Sequence, residues 1–383
     1  MFDWWRILRA QQRVERKLLA WHAPGRPVWP MRDTSAFARE GYAQNAIAYR
    51  CVRMIAEAAA SAPLKVGPKQ HPLSRLLARP NPEQTGVELL EAFYGHLQVS
   101  GNAYLEAASI EASTPSELYV LRPDRMSVVP GADGWPIGWE HRCGANVRRF
   151  ERDPISGEAP ILHVKLFHPA DDWYGLSPME AAAFSIDIHN SGGAWNKALI
   201  DNAARPSGAL VFTGTRGADS MTEEQFRRLK QELADMHLGA ANAGRPMVLD
   251  GGLEWRPMSF SPADMDFIEA RNAAARDIAL AFGVPPMLLG IPGDNTYSNY
   301  REANLAFWRQ TALPLAMKAA RAIEAWIGDR WPEAGLAAVS VDLEAVPALA
   351  LEREALWARV GAADFLDTNE KRRLAGVDTP ERA

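Results

Sequence analysis

Two helix starts of the same kind constrain this chain more than anything else in it. They are Ser177-Pro178-Met179-Glu180 and Ser261-Pro262-Ala263-Asp264. In each, a serine caps the helix and a proline takes the first helical position, where no backbone donor is needed. An acid follows at the third position, facing the positive end of the helix dipole. These starts predict helices over 178–202 and 262–282. A third helix is expected over 297–327, kinked by Pro314, which lacks a donor and clashes with the preceding turn. At 1.5 Å per residue the first and third would span ~37 Å and ~45 Å. Gly192-Gly193 sits inside the first helix at a cost of ~1 kcal/mol per glycine. That cost predicts a close helix–helix approach or a bend there.

Between the first two helices lies a compact insert. It reads as a strand over 209–213, a helix over 222–238, and a hairpin of 247–249 with 253–258 around Asp250-Gly251-Gly252. Phe226, Leu229, Leu233 and Met236 share one face of that helix. Two struts, a small unit between them, and a Gly/Pro/Asn/Ser-rich loop after Gly283-Val284-Pro285-Pro286 describe a machine part better than a catalytic pocket. Upstream, a helix over 45–62 carries Ile47, Cys51, Met54, Ile55 and Ala58 on one face. A strand over 64–66 and a short helix over 71–77 follow, and Pro80-Asn81-Pro82 stops the latter. Thr85 and Glu88 form a capping box for a helix running to Val99. Strands are expected over 103–107, 118–121, 126–129, 137–141 and 161–167. The fold class is therefore α+β, with a mostly antiparallel sheet. Two short helices, over 349–360 and 369–374 behind the cap Asp367, finish the chain.

Composition excludes several functions. The 383 residues carry a formal net charge of -5 and a pI near 6.0, so a tight electrostatic grip on phosphates is not expected. Cys51 and Cys143 are the only cysteines and form no CxxC pair. No run reaches the ~18 uncharged apolar residues of a membrane span. The N-terminus to Trp21 is amphipathic, with Trp and Leu against Arg and Lys. It reads as a membrane-surface helix, a partner-binding helix, or a terminal helix ordered only on assembly.

Catalytic signatures are missing. There is no GxxxxGK loop, no GxGxxG after a strand and no HExxH. Gly175-Leu176-Ser177-Pro178 superficially looks like a nucleophile elbow. It lacks the second glycine, and its proline removes a donor that an oxyanion hole needs, so Ser177 reads as a helix cap. His163, His168, Asp171 and Asp172 have a ligand-like composition but match no metal template. No catalytic residue, metal or cofactor is expected.

The order of short motifs carries a resemblance. They include the helix from Asn45 to Pro63; His71-Pro72-Leu73 through Arg79-Pro80-Asn81-Pro82; and Ser100-Gly101-Asn102-Ala103-Tyr104. Glu117-Leu118, Leu121-Arg122-Pro123-Asp124-Arg125, Gly175-Leu176-Ser177-Pro178 and Arg205-Pro206-Ser207-Gly208 continue it. Phe282-Gly283-Val284-Pro285-Pro286-Met287-Leu288-Leu289-Gly290, Thr296-Tyr297-Ser298-Asn299 and Thr368-Asn369-Glu370-Lys371-Arg372 complete it. Each is weak alone, but their order and spacing over 45–376 resemble the portal proteins of long-tailed double-stranded DNA phages and phage-derived gene transfer agents.

That resemblance implies a non-enzymatic subunit of a closed ring, a dodecamer at one capsid vertex, with double-stranded DNA passing through its channel in packaging and ejection. It implies an N-terminal arm (1–25), an α+β wing (26–176), stem helix 1 (177–204), a clip (205–260) and stem helix 2 (261–283). A tunnel loop, kinked long helix and wing return (284–346) and a short crown (347–383) follow. The tunnel loop would present Asp294, Asn295, Thr296 and Ser298 to DNA. The clip would dock the large terminase and then the head–tail adaptor through Arg216, Arg227, Arg228, Lys230 and Arg245, and the capsid partner would be the major capsid protein. The particle would be assembled in the host cytoplasm, with no membrane partner. The alternative is a peripheral membrane or scaffold protein using the Trp-rich N-terminal helix. A hydrolase of unfamiliar fold has no nucleophile–base pair to support it.

Overall fold

The computed structural model describes residues 34–376 except 110–113, 133, 202–207, 213–223, 225–226, 228–230, 232–252, 258–266 and 292–296. The chain divides into two compact units: Asp33–Ala183 with Ala275–Ala383, and a second containing Phe184–Ala274. The described α-helices include α1 Ala46–Ser61, α2 Pro72–Ala78, α3 Gly86–Ser100, α4 Pro178–Ala181, α5 Ala183–Asp201 and α6 Phe267–Ala281. They continue as α7 Tyr297–Phe307, α8 Leu313–Ile327, α9 Ala350–Gly361 and α10 Thr368–Leu374. The strands are β1 Leu64–Gly67, β2 Asn102–Ala108, β3 Glu117–Leu121, β4 Met126–Pro130, β5 Pro136–Cys143 and β6 Asn146–Glu151. β7 Ile161–Lys165, β8 Gly208–Phe212, β9 Leu253–Pro257 and β10 Ala338–Val341 follow.

The α+β class holds. The larger unit is built around α1 packed on α3. Asn45 caps α1, its Oδ1 accepting from the N–H groups of Ile47 (3.1 Å) and Ala48 (3.0 Å). The face that α1 buries is Ala48, Cys51, Val52, Ile55, Ala56, Ala59 and Ala60. That face is rotated from the one expected, because alanines rather than the larger Met54 let the helices close up. Ile47, on the flank, packs instead with Leu289 against Ala275, Ala279 and Ile291. Burial pushes the Cys51 thiol up to about 12, so it packs as an inert small apolar group. From α3, Leu89, Phe93 and Leu97 are fully buried, each contributing roughly 1.5–3 kcal/mol. The capping box that starts α3 is complete: Thr85 N–H donates to Glu88 Oε2 at 2.7 Å, and Glu88 N–H donates back to Thr85 Oγ1.

Two three-stranded antiparallel sheets follow, in the orders β3-β2-β7 and β4-β5-β6. Tyr104, Met126, Val128, Trp139, Phe150, Ala159 and Ile161 form a shared core. Two strands escape the sequence reading. β6 (NVRRFE) buries only Phe150, so its arginines hide the alternation. β10 pairs with β1, Leu64 against Val341, a contact between distant parts of the chain that no local pattern announces.

The first and third long helices differ from expectation in detail, and the Ser261-Pro262 start of the second lies outside the described residues. The helix that Ser177 caps turns at Ala182, dividing α4 from α5. The third long helix is interrupted by a π-turn at Trp308–Ala312, where Leu313 N–H reaches Trp308 C=O; α8 then resumes with Pro314 in its first turn. In the second unit β8 pairs antiparallel with β9, Gly208 against Pro257 through Phe212 against Leu253. The first arm of the hairpin expected over 247–258 lies outside the described residues.

Candidate functional site

The loop after Gly290 is held at its upstream foot. α6 ends at Gly283, whose φ of +66° lies in the left-handed region that favours glycine. Val284 N–H returns to Ala279 C=O at 2.9 Å. Thr311, in the π-turn, donates its hydroxyl to Gly283 C=O at 2.6 Å. A 3-10 turn over Pro286–Leu289 follows, ended by Gly290 at φ +72°. Ile291 then drops back into the cluster of Ala275, Ala279, Leu289 and Ile47. The downstream foot is α7, anchored by the buried Phe307. Asp294, Asn295 and Thr296 lie outside the described residues. Ser298 belongs to the first turn of α7, which begins at Tyr297 as expected.

A second fixed point lies just before α4. Gly101 has φ +74°, and a Cβ there would come within 2.3 Å of Gly175 O; the converse approach at Gly175 is 2.2 Å from Gly101 O. The two backbones therefore touch in a way only glycine allows. Asn102 closes the joint: its Oδ1 accepts from Gly175 N–H at 2.8 Å, and its Nδ2 donates to Ser100 C=O at 2.8 Å. His163 Nε2 lies 3.0 Å from the same Oδ1, and its ring stacks on Tyr104 at 4.2 Å. An acceptor oxygen there means that Nε2 carries the hydrogen and donates. Burial, reinforced by Lys165, holds His163 neutral, its pKa lowered to about 3. Ser177 Oγ accepts from Glu180 N–H at 2.9 Å, which makes it a helix cap.

The metal-like residues are used locally. Asp171 Oδ1 accepts from the N–H groups of Trp173 and Tyr174, and His168 Nδ1 accepts from Ala170 N–H. Among the described residues no group of three or more His, Cys, Asp or Glu is placed to hold a metal ion. Among them, too, no helix is long and apolar enough to cross a membrane.

In the second unit, Glu224, Arg227 and Gln231 are helical and exposed. They lie on the side opposite the expected apolar face of Phe226, Leu229, Leu233 and Met236. Arg216, Arg228, Lys230 and Arg245 lie outside the described residues, as does the N-terminal arm. On α5, a Cβ added at Gly192 or Gly193 would meet nothing within 4 Å, and the helix runs on through both. No close approach to another described residue therefore accompanies these glycines. His189 Nε2 accepts from Arg271 Nε at 3.3 Å, tying α5 to α6. Of the alanine runs 181–183 and 273–275, Ala182, Ala183, Ala274 and Ala275 are buried within the protomer.

The comparisons agree with this architecture. The phage portal protein family model matches residues 46–376. A chain in the virion of a native gene transfer agent particle is 52% identical over 94% of this chain and 97% of that one, with a TM-score of 0.72. A chain from the neck of a native gene transfer agent particle, computed with C12 symmetry, is likewise 52% identical, covering 93% and 96%, with a TM-score of 0.71. The portal protein of Enterobacteria phage HK97 is 25% identical over 342 residues, 81% of this chain and 76% of that protein. The chain belongs to the phage portal protein family and is a head–tail connector subunit of the phage and gene transfer agent type.

Proposed function

We propose that copies of this chain close into a twelve-membered ring in the neck of a gene transfer agent or phage particle, and that double-stranded DNA moves through the ring's channel. The near full-length 52% identity to a neck chain reconstructed with C12 symmetry carries this reading. In it, residues 26–176 form the wing beside the major capsid protein, and 177–204 with 261–283 form the stem. Residues 205–260 form the clip, 284–346 the tunnel loop, long helix and wing return, and 347–383 the crown. The loop beyond Gly290 faces DNA through Asp294, Asn295, Thr296 and Ser298. The clip meets the large terminase and then the adaptor through Arg216, Arg227, Arg228, Lys230 and Arg245. The subunit acts by shape and assembly, not by catalysis.

The electrostatics suit sliding. A duplex held by many lysines or arginines would be trapped by counterion release. This chain has a net charge of -5, and the loop candidates carry a single charge, Asp294. Polar uncharged groups can exchange phosphate contacts without a deep well. Heterologous contacts between copies close a ring when the rotation per copy divides a full turn. Negative-stain imaging of the purified chain and of particles is the test. Twelve-fold rings at one vertex are expected. Monomers alone in solution, with no ring in assembled particles, overturn the reading.

A further inference from the structure

We propose that a groove beside α2 docks an extended, acidic polypeptide segment of another protein of the particle. The groove has a volume of about 420 Å³ and is lined by Arg75, Arg79, Pro80, Pro82, Pro115 and Trp331, among others. None of its lining residues belongs to the loop, the clip or the joint at Gly101.

Its walls are preorganised. Asn81 is buried and fully used: Nδ2 donates to Leu118 C=O (2.9 Å) and Gln84 Oε1 (3.1 Å), while Oδ1 accepts from Glu83 and Gln84 N–H groups. Leu118 N–H donates to Pro80 C=O at 2.8 Å, so the proline turn and β3 move as one. On the far side, Trp331 meets His71 edge-on, with centroids 5.3 Å apart. His71 is itself fixed: Nδ1 accepts from Leu73 N–H, and Nε2 donates to Gly335 C=O. A ligand therefore loses little free energy ordering this surface.

The chemistry of the lining selects the occupant. Proline rings have no N–H, so this wall cannot extend a strand ladder, and apolar proline rings beside an indole suit an extended chain read by its side chains. Arg75 lies on the exposed side of α2, and Arg79, also exposed, is the residue that ends it, its N–H donating to Arg75 C=O at 2.9 Å. Neither guanidinium meets a carboxylate among the described residues. By contrast Arg53, Arg122, Arg142, Arg148, Arg309 and Arg330 each pair with one. The acid in the groove, Glu117, accepts from Tyr119 Oη at 2.8 Å. A carboxylate docked against the two guanidiniums forms charge-assisted hydrogen bonds that neither makes within the described chain. Two cations beside proline and indole rings match acidic side chains on an extended backbone better than a duplex, which presents a long phosphate track.

The ring reading enters only in naming where the segment comes from, so the test has two arms. In the first, the purified full-length chain is titrated against a short fluorescein-labelled peptide of repeating Glu-Pro-Leu, beside Lys-Pro-Leu and labelled duplex DNA. The Glu peptide binds selectively. Arg75→Glu with Arg79→Glu weakens it roughly tenfold, as does raising the salt. Ser116→Trp, which fills the groove without touching its charges, also abolishes binding. In the second arm, a photo-crosslinking residue at Ser116 is activated in assembled particles and the adduct is identified by mass spectrometry. An adduct with an acidic segment of a different particle protein, lost on double charge reversal, is expected. Equal binding of both peptides, preference for DNA, adducts only with neighbouring copies, or no adduct overturns the proposal. Particles containing rings but no adduct would leave the ring standing and sink the groove. Failure to find rings would sink the ring, while the peptide arm still tests the groove.

Discussion

His163 should make the larger unit acid-sensitive by a calculable amount. Its Nε2 donates to Asn102 Oδ1, the atom that also accepts from Gly175 N–H at the joint before α4. Burial lowers its pKa to about 3 in the folded protein, against about 6.5 in an unfolded chain. The folded state thus prefers the neutral ring. The contribution is fully present above pH ~6.5 and is lost as pH falls toward the folded value, because the unfolded chain then binds a proton that the folded chain refuses. Between pH 7 and pH 4.5 one such histidine removes about 2.5 kcal/mol. The assay is urea unfolding of the wild type and His163→Gln at steps from pH 7.5 to 4.5, followed by the fluorescence of tryptophans including Trp173, beside the joint. Gln can donate to Asn102 but cannot titrate. Carboxylates act alike in both proteins, so their acid effects cancel in the difference. The variant should start less stable at pH 7.5, since it loses the stack on Tyr104, and the gap should close by about 2.5 kcal/mol by pH 4.5. A gap that stays constant across the series would show that His163 does not titrate against folding.

Further outcomes test other parts. Gly101→Ala places a Cβ 2.3 Å from Gly175 O at a left-handed φ, so it should cost more than ~3 kcal/mol and be seen as a lowered Tm or insoluble protein; wild-type Tm would refute the joint. Thr311→Val removes the hydroxyl that holds Gly283 C=O and should cost about 1 kcal/mol in urea unfolding, with rings still forming in negative stain. Asp294→Lys with Asn295→Lys replaces one negative charge by two positive ones per copy, so packaging should slow at low salt and recover as salt rises. Equal packaging rates for this variant and the matching Ala pair at low salt would remove the loop from the DNA path.

What could be read from the sequence followed the range of the interaction concerned. The caps at Thr85, Ser177 and Asp367 were legible because a cap is settled within four residues. β1's partner was not, since Leu64 meets Val341 across most of the chain. The buried face of α1 was misread because alanine carries little hydrophobic signal yet permits the closest packing. Asn102 stood out only as a member of the Ser100-Gly101-Asn102-Ala103-Tyr104 motif; nothing local shows that its amide spans the chain to Gly175. Arg227 was legible as a charge on an amphipathic helix, and it is exposed as that pattern requires.

Pro314 and the π-turn before it explain each other. An α-helix entering a proline must leave one carbonyl without a donor and make room for the ring. The π-turn at Trp308–Ala312 does both, because its wider turn reaches back five residues, as Leu313 does to Trp308. A π-turn also changes the direction in which the following side chains point. Here it sends Thr311 to Gly283 C=O, at the foot of the loop, and Arg309 to Glu352 of α9 at 2.6 Å. The ion pair is half exposed and is worth at most about 1 kcal/mol, and the hydroxyl bond about as much. Neither is strong, yet they share one turn, so reverting that turn to α geometry would rotate both side chains by roughly one residue step of 100° and break the two together. The proline, a weakness when judged by helix propensity, therefore couples the foot of the loop after Gly290 to the C-terminal helices.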